Sequence, residues 1–112
     1  MGEIQRAINC FKKVIQINPD NADAHNNLGN LLKELGEIHD AENCYKKAIQ
    51  INPNQADAHN NLGAIFKNLG EHQKAISCYE KAVKIDPNYV NAYNNLGTIL
   101  GELNRIKEAK KK

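Results

Sequence analysis

A fixed period of 34 residues constrains this chain more than any other feature. Pro19, Pro53 and Pro87 keep that interval, as do Gly29, Gly63 and Gly97, and Leu28, Leu62 and Leu96. Ala7, Ala41, Ala75 and Ala109 extend the series to four copies. Residues 22–55 and 56–89 share 20 identities over 34 aligned positions, which chance does not produce. A period of this length describes one supersecondary unit that cannot bury its apolar face alone and does so by stacking on its neighbours.

Each period holds two amphipathic segments. Ala24, Leu28, Leu31, Leu32 and Leu35 recur at three- and four-residue steps, so a first helix is predicted over 22–34, with copies over 56–68 and 90–102. Asp20, with Asp23 three residues on, is the expected N-cap; Asn54 with Asp57 and Asn88 with Asn91 repeat the pair. Gly36 and Gly70 stand where the first helix must end on a left-handed residue. A second helix is predicted over 38–51 and 72–85, carried by Ala41, Tyr45, Ala48, Ile49 and Ile51 and by Ala75, Tyr79, Ala82, Val83 and Ile85. Gly29 and Ala41 are expected to be small so that helix backbones approach closely, and Tyr45 to fill the gap between hairpins.

Two antiparallel helices in 34 residues, with Leu28-Gly29, Leu32, Gly36, Ala41, Tyr45, Ala48 and Pro53 in this order, resemble the tetratricopeptide repeat. The resemblance covers nearly the whole chain. It departs where the family carries large aromatics in the first helix: here His25, His59 and Tyr93 stand at one position and Leu32, Phe66 and Leu100 at the other. The resemblance implies an all-α fold, an α-solenoid of helix hairpins winding as a right-handed superhelix. One array then spans 1–112. It opens with a second helix over 2–21, continues with repeats over 22–55 and 56–89, and closes with a partial repeat over 90–112 whose second helix is truncated.

In such a solenoid the first helices line the concave face. Their outward-facing positions then define the expected ligand surface: Asp23, Asn26, Asn27, Asn30, Lys33 and Glu34, then Asp57, Asn60, Asn61, Ala64, Lys67 and Asn68, then Asn91, Asn94, Asn95, Thr98, Gly101 and Glu102. The tandem Asn-Asn at one phase of all three helices is the informative feature. Asn costs about half a kcal/mol per helix residue relative to Ala, and six of them call for a compensating role. One reading is a ladder of amides, Asn27, Asn61 and Asn95, pairing with both groups of a peptide backbone, with Asn26, Asn60, Asn94 and Asn30 beside it. The other is that these side chains bond neighbouring helices or face water. Rungs about 10 Å apart would meet about every third residue of an extended chain.

The string Asn-Asn-Leu-Gly is similar to the Asn ladder in the superhelical arm of O-GlcNAc transferases, which implies a peptide-binding role without the transferase activity. The family's carboxylate clamp is matched only at Asn30 and Asn61. Its cationic positions hold Asn26, Asn91 and Asn95, so capture of an acidic C-terminus is not expected. Lys33 and Lys67 suggest a mild preference for acidic ligands, or pairing with nearby Glu34.

Composition closes other routes. The formal charge is +2 with lysines interleaved among acids, which excludes a nucleic-acid stripe, and the run Lys110, Lys111, Lys112 reads as a solvating tail. No apolar stretch is long enough to span a membrane, and the N-terminus lacks the apolar run of a signal peptide. A cytoplasmic setting is expected. Cys10, Cys44 and Cys78 recur on successive second helices about 10 Å apart, too far for a disulfide or a shared zinc, so they are expected to pack as small side chains. His25 and His59 occupy packing positions, and His39 and His72 are expected to be exposed. No nucleophile, metal or phosphate motif occurs. The sequence therefore predicts no enzyme, cofactor or metal, but a module that binds a protein or peptide. Its alternatives are a scaffold that self-associates as a homo-oligomer through open terminal helices, and a recruiting arm of a larger enzyme.

Overall fold

A computed structural model describes residues 2–111, leaving Lys112 of the basic run outside the described residues. Six helices follow one another: α1 (Gly2–Ile17), α2 (Ala22–Glu34), α3 (Ile38–Ile51), α4 (Ala56–Asn68), α5 (His72–Ile85) and α6 (Val90–Lys111). No strand occurs among the described residues. Each helix packs against the next, and α4 also touches α6, giving an α-solenoid of helix hairpins 54 Å long and 20 Å thick.

The connections explain the period. The turns before α2, α4 and α6 are closed by Asn21 N–H to Asn18 O at 3.2 Å, Gln55 N–H to Asn52 O at 3.3 Å and Tyr89 N–H to Asp86 O at 3.1 Å. Proline sits second in each turn, where its fixed φ is already correct. This places Asp20 third in the turn rather than at the cap. The N-cap of α2 is Asn21, whose side chain accepts from Ala24 N–H at 3.0 Å, and not Asp20.

The turns after α2 and α4 end on glycines in the left-handed region, Gly36 at φ 82° and Gly70 at φ 77°. In the first, Glu37 N–H donates to Leu32 O and Gly36 N–H to Lys33 O, both at 2.9 Å. In the second, Glu71 N–H reaches Phe66 O at 2.9 Å and Gly70 N–H reaches Lys67 O at 3.0 Å. These paired bonds satisfy carbonyls that a helix end would otherwise orphan. The third copy has Asn104 at the glycine position, and no non-glycine residue among those described takes a positive φ. The chain therefore does not turn there. The expected first helix over 90–102 and its truncated second helix form one continuous helix of 22 residues.

The core is made of alanines that let helices approach and tyrosines that fill the space between them. Ala41, Ala48, Ala58, Ala75, Ala82 and Ala92 are fully buried, as are Tyr45 and Tyr79. A fully buried large side chain contributes roughly 1.5–3 kcal/mol. The glycines of the Leu-Gly pairs serve these rings. A Cβ on Gly29 would lie 2.7 Å from Tyr45 Cε1, and one on Gly63 would lie 2.6 Å from Tyr79 Cε1. The close approach is therefore between backbone and aromatic ring inside one hairpin. The glycine thus admits the ring where the helices of the hairpin pack together, and the tyrosine locks its own hairpin.

Candidate functional site

On the first helix α2, the exposed polar residues fall on one stripe, and the same phase recurs on α4 and α6. In α2 these are Asp23, Asn27, Asn30 and Glu34, spaced by four, three and four residues. The same phase in α4 gives Asp57, Asn61, Ala64 and Asn68, and in α6 gives Asn91, Asn95, Thr98 and Glu102. Residues one turn apart share a face, so the three stripes lie side by side. At the margin of the stripes, Lys67 of α4 reaches Glu102 of α6 at 3.9 Å.

The two Asn of each pair have different roles. Asn26 and Asn60 are buried, at 3% and 8% exposure. Asn61 Nδ2 donates to Asn26 Oδ1 at 3.1 Å, and Asn95 Nδ2 donates to Asn60 Oδ1 at 3.0 Å. The second Asn of one repeat thus clasps the first Asn of the repeat before it. The buried amides spend their own donors on the same seam. Asn26 Nδ2 donates to Asp57 Oδ2 at 3.3 Å and Asn60 Nδ2 to the Tyr89 hydroxyl at 3.4 Å. Gln55 Nε2 adds a bond to Asp23 Oδ1 at 2.9 Å. Buried amides satisfied in this way hold adjacent helices in one register, which offsets their poor helix propensity.

The structure accordingly splits the candidate residues. Asn27, Asn61 and Asn95 form a row along the exposed stripes, with Asn27 exposed and the other two half-buried. Asn26 and Asn60 face the neighbouring helix, as the alternative reading of the pairs held, whereas Asn94 is exposed. The Asn30 carbonyl accepts from the Tyr45 hydroxyl at 2.6 Å, which leaves its amide donors outward. Lys33 and Lys67 are half-buried at the far end of the stripes.

Burial raises the pKa of Tyr45 and Tyr79, the latter to about 12, so the bond to Asn30 is made by a neutral phenol. Burial likewise raises Cys44, and lifts Cys78 to about 11. Those two thiols pack against the core, but Cys10 is exposed and does not pack as expected. His25 and His59 bond back to Pro19 O at 3.0 Å and Pro53 O at 2.9 Å, bracing the turn before their own helix. His72 is half-buried rather than exposed, with Nδ1 at 3.0 Å from Gly70 O. A separate cleft of about 430 Å³ lies away from the amide row, lined by Asn54, Lys81, Lys84 and Ile85. Its lysines are exposed and it contains none of the stripe residues.

Sequence reasoning missed Gln55 and Tyr89 as seam residues. They occupy one repeat position together with Asn21, and three different side chains conceal a shared location. The only signal was geometric: the position precedes the first helix and faces the Asp of the previous repeat.

Comparison with known proteins places these features in a family. The sequence model described as tetratricopeptide repeat matches residues 56–89, and another of the same description matches 78–111. The one described as TPR repeat matches 1–36 and 29–70. No curated protein sequence matches the chain. Among solved structures, the first TPR of Spaghetti (RPAP3) bound to the HSP90 peptide SRMEEVD superposes with a TM-score of 0.86 at 26% identity, over 91% of this chain and 81% of that one. The MamA protein gives 0.83 at 32% identity, over 96% of this chain and 59% of its own. A Thermobaculum terrenum O-GlcNAc transferase mutant gives 0.83 at 29% identity, over 88% of this chain and 19% of that one.

Proposed function

The chain belongs to the tetratricopeptide repeat family, and from that premise we propose that it is a protein–protein interaction module, not an enzyme, holding an extended peptide in the groove lined by α2, α4 and α6. The observation that carries the reading is the row Asn27, Asn61 and Asn95. The clasp orients Asn61 and Asn95 by one N–H each, and the rest of each amide is left toward the stripe. An amide fixed in this way pairs with peptide N–H and C=O groups without losing rotamer entropy on binding. Backbone pairing of this kind depends little on peptide sequence. The RPAP3 relative binds a peptide ending in acidic residues. Here Asn26 is buried in the seam and Asn91 and Asn95 carry no charge, so the ligand is not expected to be an acidic C-terminus. Lys33 and Lys67 lie at the groove margin. The proposal sets the module in the cytoplasm, where its thiols stay reduced.

The test is binding of the 112-residue chain to a pooled library of short extended peptides. The comparison is the triple variant Asn27→Ala, Asn61→Ala, Asn95→Ala, with helicity checked by circular dichroism. Binding that disappears in the folded variant supports the groove. No binding by the parent, or equal binding by the variant, overturns it. A second reading, self-association, is favoured by the apolar side chains α6 exposes, Val90 at 67%, Tyr93 at 48% and Leu100 at 47%. Sedimentation that shows a monomer at all concentrations removes it.

A further inference from the structure

The chemistry of the ligand follows from the charges on the same stripes, so this inference rests on the groove reading above. Asp23, Glu34, Asp57 and Glu102 lie on the stripes, and Lys33 and Lys67 lie at their margin. The groove thus carries an excess of two carboxylates in a chain whose formal charge is +2. The face proposed to bind is thus locally acidic although the whole chain carries a positive formal charge.

The carboxylates at the first turns are also under-occupied. Asp23 accepts from the neutral Gln55 amide at 2.9 Å, and Asp57 accepts from the neutral Asn26 amide at 3.3 Å. Both side chains are exposed, and neither faces a cation among the described residues. Their field extends along the seam: after burial, the charge of Asp57 is the next cause that raises the pKa of Tyr89. The amide row leans the same way. Asn61 and Asn95 spend an N–H on the clasp, and among the described residues their carbonyl oxygens have no donor. At the other end of the groove, Lys67 is drawn to Glu102 at 3.9 Å.

We propose that the groove takes an extended segment carrying Lys or Arg at every third position. Ammonium and guanidinium groups only donate, and carboxylates and the free amide carbonyls accept. Asp23 and Asp57 are one repeat apart, about 10 Å, and three residues of extended chain advance by about the same distance. A cationic side chain at one residue in three therefore meets the carboxylates of the α2 and α4 rungs, Asp23 and Asp57, while the intervening backbone meets the amides.

The experiment uses the 112-residue chain and three labelled 12-residue peptides of Gly, Ser and Ala, with Lys, Glu or Gln at every third position. Affinity is read by fluorescence anisotropy at low salt and at 0.15 M. The Lys peptide is expected to bind roughly fivefold tighter than the Gln peptide at low salt, shrinking as salt screens the exposed charges. The isosteric pair Asp23→Asn, Asp57→Asn is expected to bring the Lys-to-Gln ratio close to one. A fourth peptide with the same lysines at every second position should lose most of the advantage. Equal or tighter binding of the Glu or Gln peptide overturns the charge assignment and leaves the groove standing. Absence of binding by all the peptides overturns the groove reading and this one with it. A Lys preference that is unchanged by the Asp substitutions overturns the assignment to these carboxylates.

Discussion

The hairpins α2–α3 and α4–α5 and the terminal helix α6 carry the same Asn-Asn-Leu-Gly string, yet the string does different work in each. In the hairpins, Gly29 and Gly63 lie beneath the buried rings of Tyr45 and Tyr79, and nothing larger than hydrogen fits. In α6, a Cβ on Gly97 meets no atom within 4 Å. Asn60 is buried and bonded on both sides of its amide, but Asn94, its counterpart in α6, is exposed. Phe66 is 7% exposed and Leu100 at the same phase is 47% exposed. A repeat residue therefore acquires its role from the neighbour that packs on it, and identical strings are not identical environments.

Glycine substitutions test this comparison with the largest expected effect. Gly63→Ala pushes the Tyr79 ring out of a packed site and should cost about 2–3 kcal/mol. Gly97→Ala, in an open helix interior, should stabilise by about 0.5–1 kcal/mol. Urea unfolding of the two variants measures both, and equal losses would break the distinction drawn here.

The Asn pair gives the next effect. Asn60→Ala strips the Asn95 donor of its acceptor and the Tyr89 hydroxyl of its donor, at a cost of about 1–3 kcal/mol. Asn94→Ala touches no such bond and should stay within about 0.5 kcal/mol of the parent. A costly Asn94→Ala would mean that α6 is covered in solution, which would favour self-association.

The smallest effect is alkaline. Burial holds Cys78 up to about 11 and Tyr79 up to about 12, from ordinary values of 9.0 and 10.0. The unfolded chain loses these protons first. Stability is therefore complete below about pH 9 and falls as pH rises through the folded-state values. Unfolding midpoints at pH 8 and pH 10.5 should show the drop, and Tyr79→Phe should reduce it with little effect at pH 8. A midpoint that does not move would mean that the hairpin core is open to hydroxide.

The helix limits of the inner repeats were legible because each limit has a local cause: a proline turn before the first helix, a left-handed glycine after it, and apolar residues at helical spacing. The course of the chain after residue 102 was read less well. Ile106 and Ala109 preserve the apolar phase of a second helix, but Asn104 does not supply the turn that would fold it back. The row Asn27, Asn61 and Asn95 was legible from phase, whereas the seam contacts of Asn26 and Asn60 were not. The latter depend on which residue of the next repeat comes within hydrogen-bond reach, 3.0 to 3.4 Å in this seam.

By itself the sequence determined the period, the helices of the inner repeats, the all-α solenoid and the residues sharing the first-helix stripes, because these follow from backbone geometry and spacing along one chain. Only the tertiary structure decided that Gly29 and Gly63 make room for rings, that Asn61 and Asn95 clasp the first Asn of the preceding pair, and that Asp23 and Asp57 pair with no cation among the described residues. Those facts are distances between residues about 16 to 35 apart in sequence, set by how neighbouring helices settle against each other.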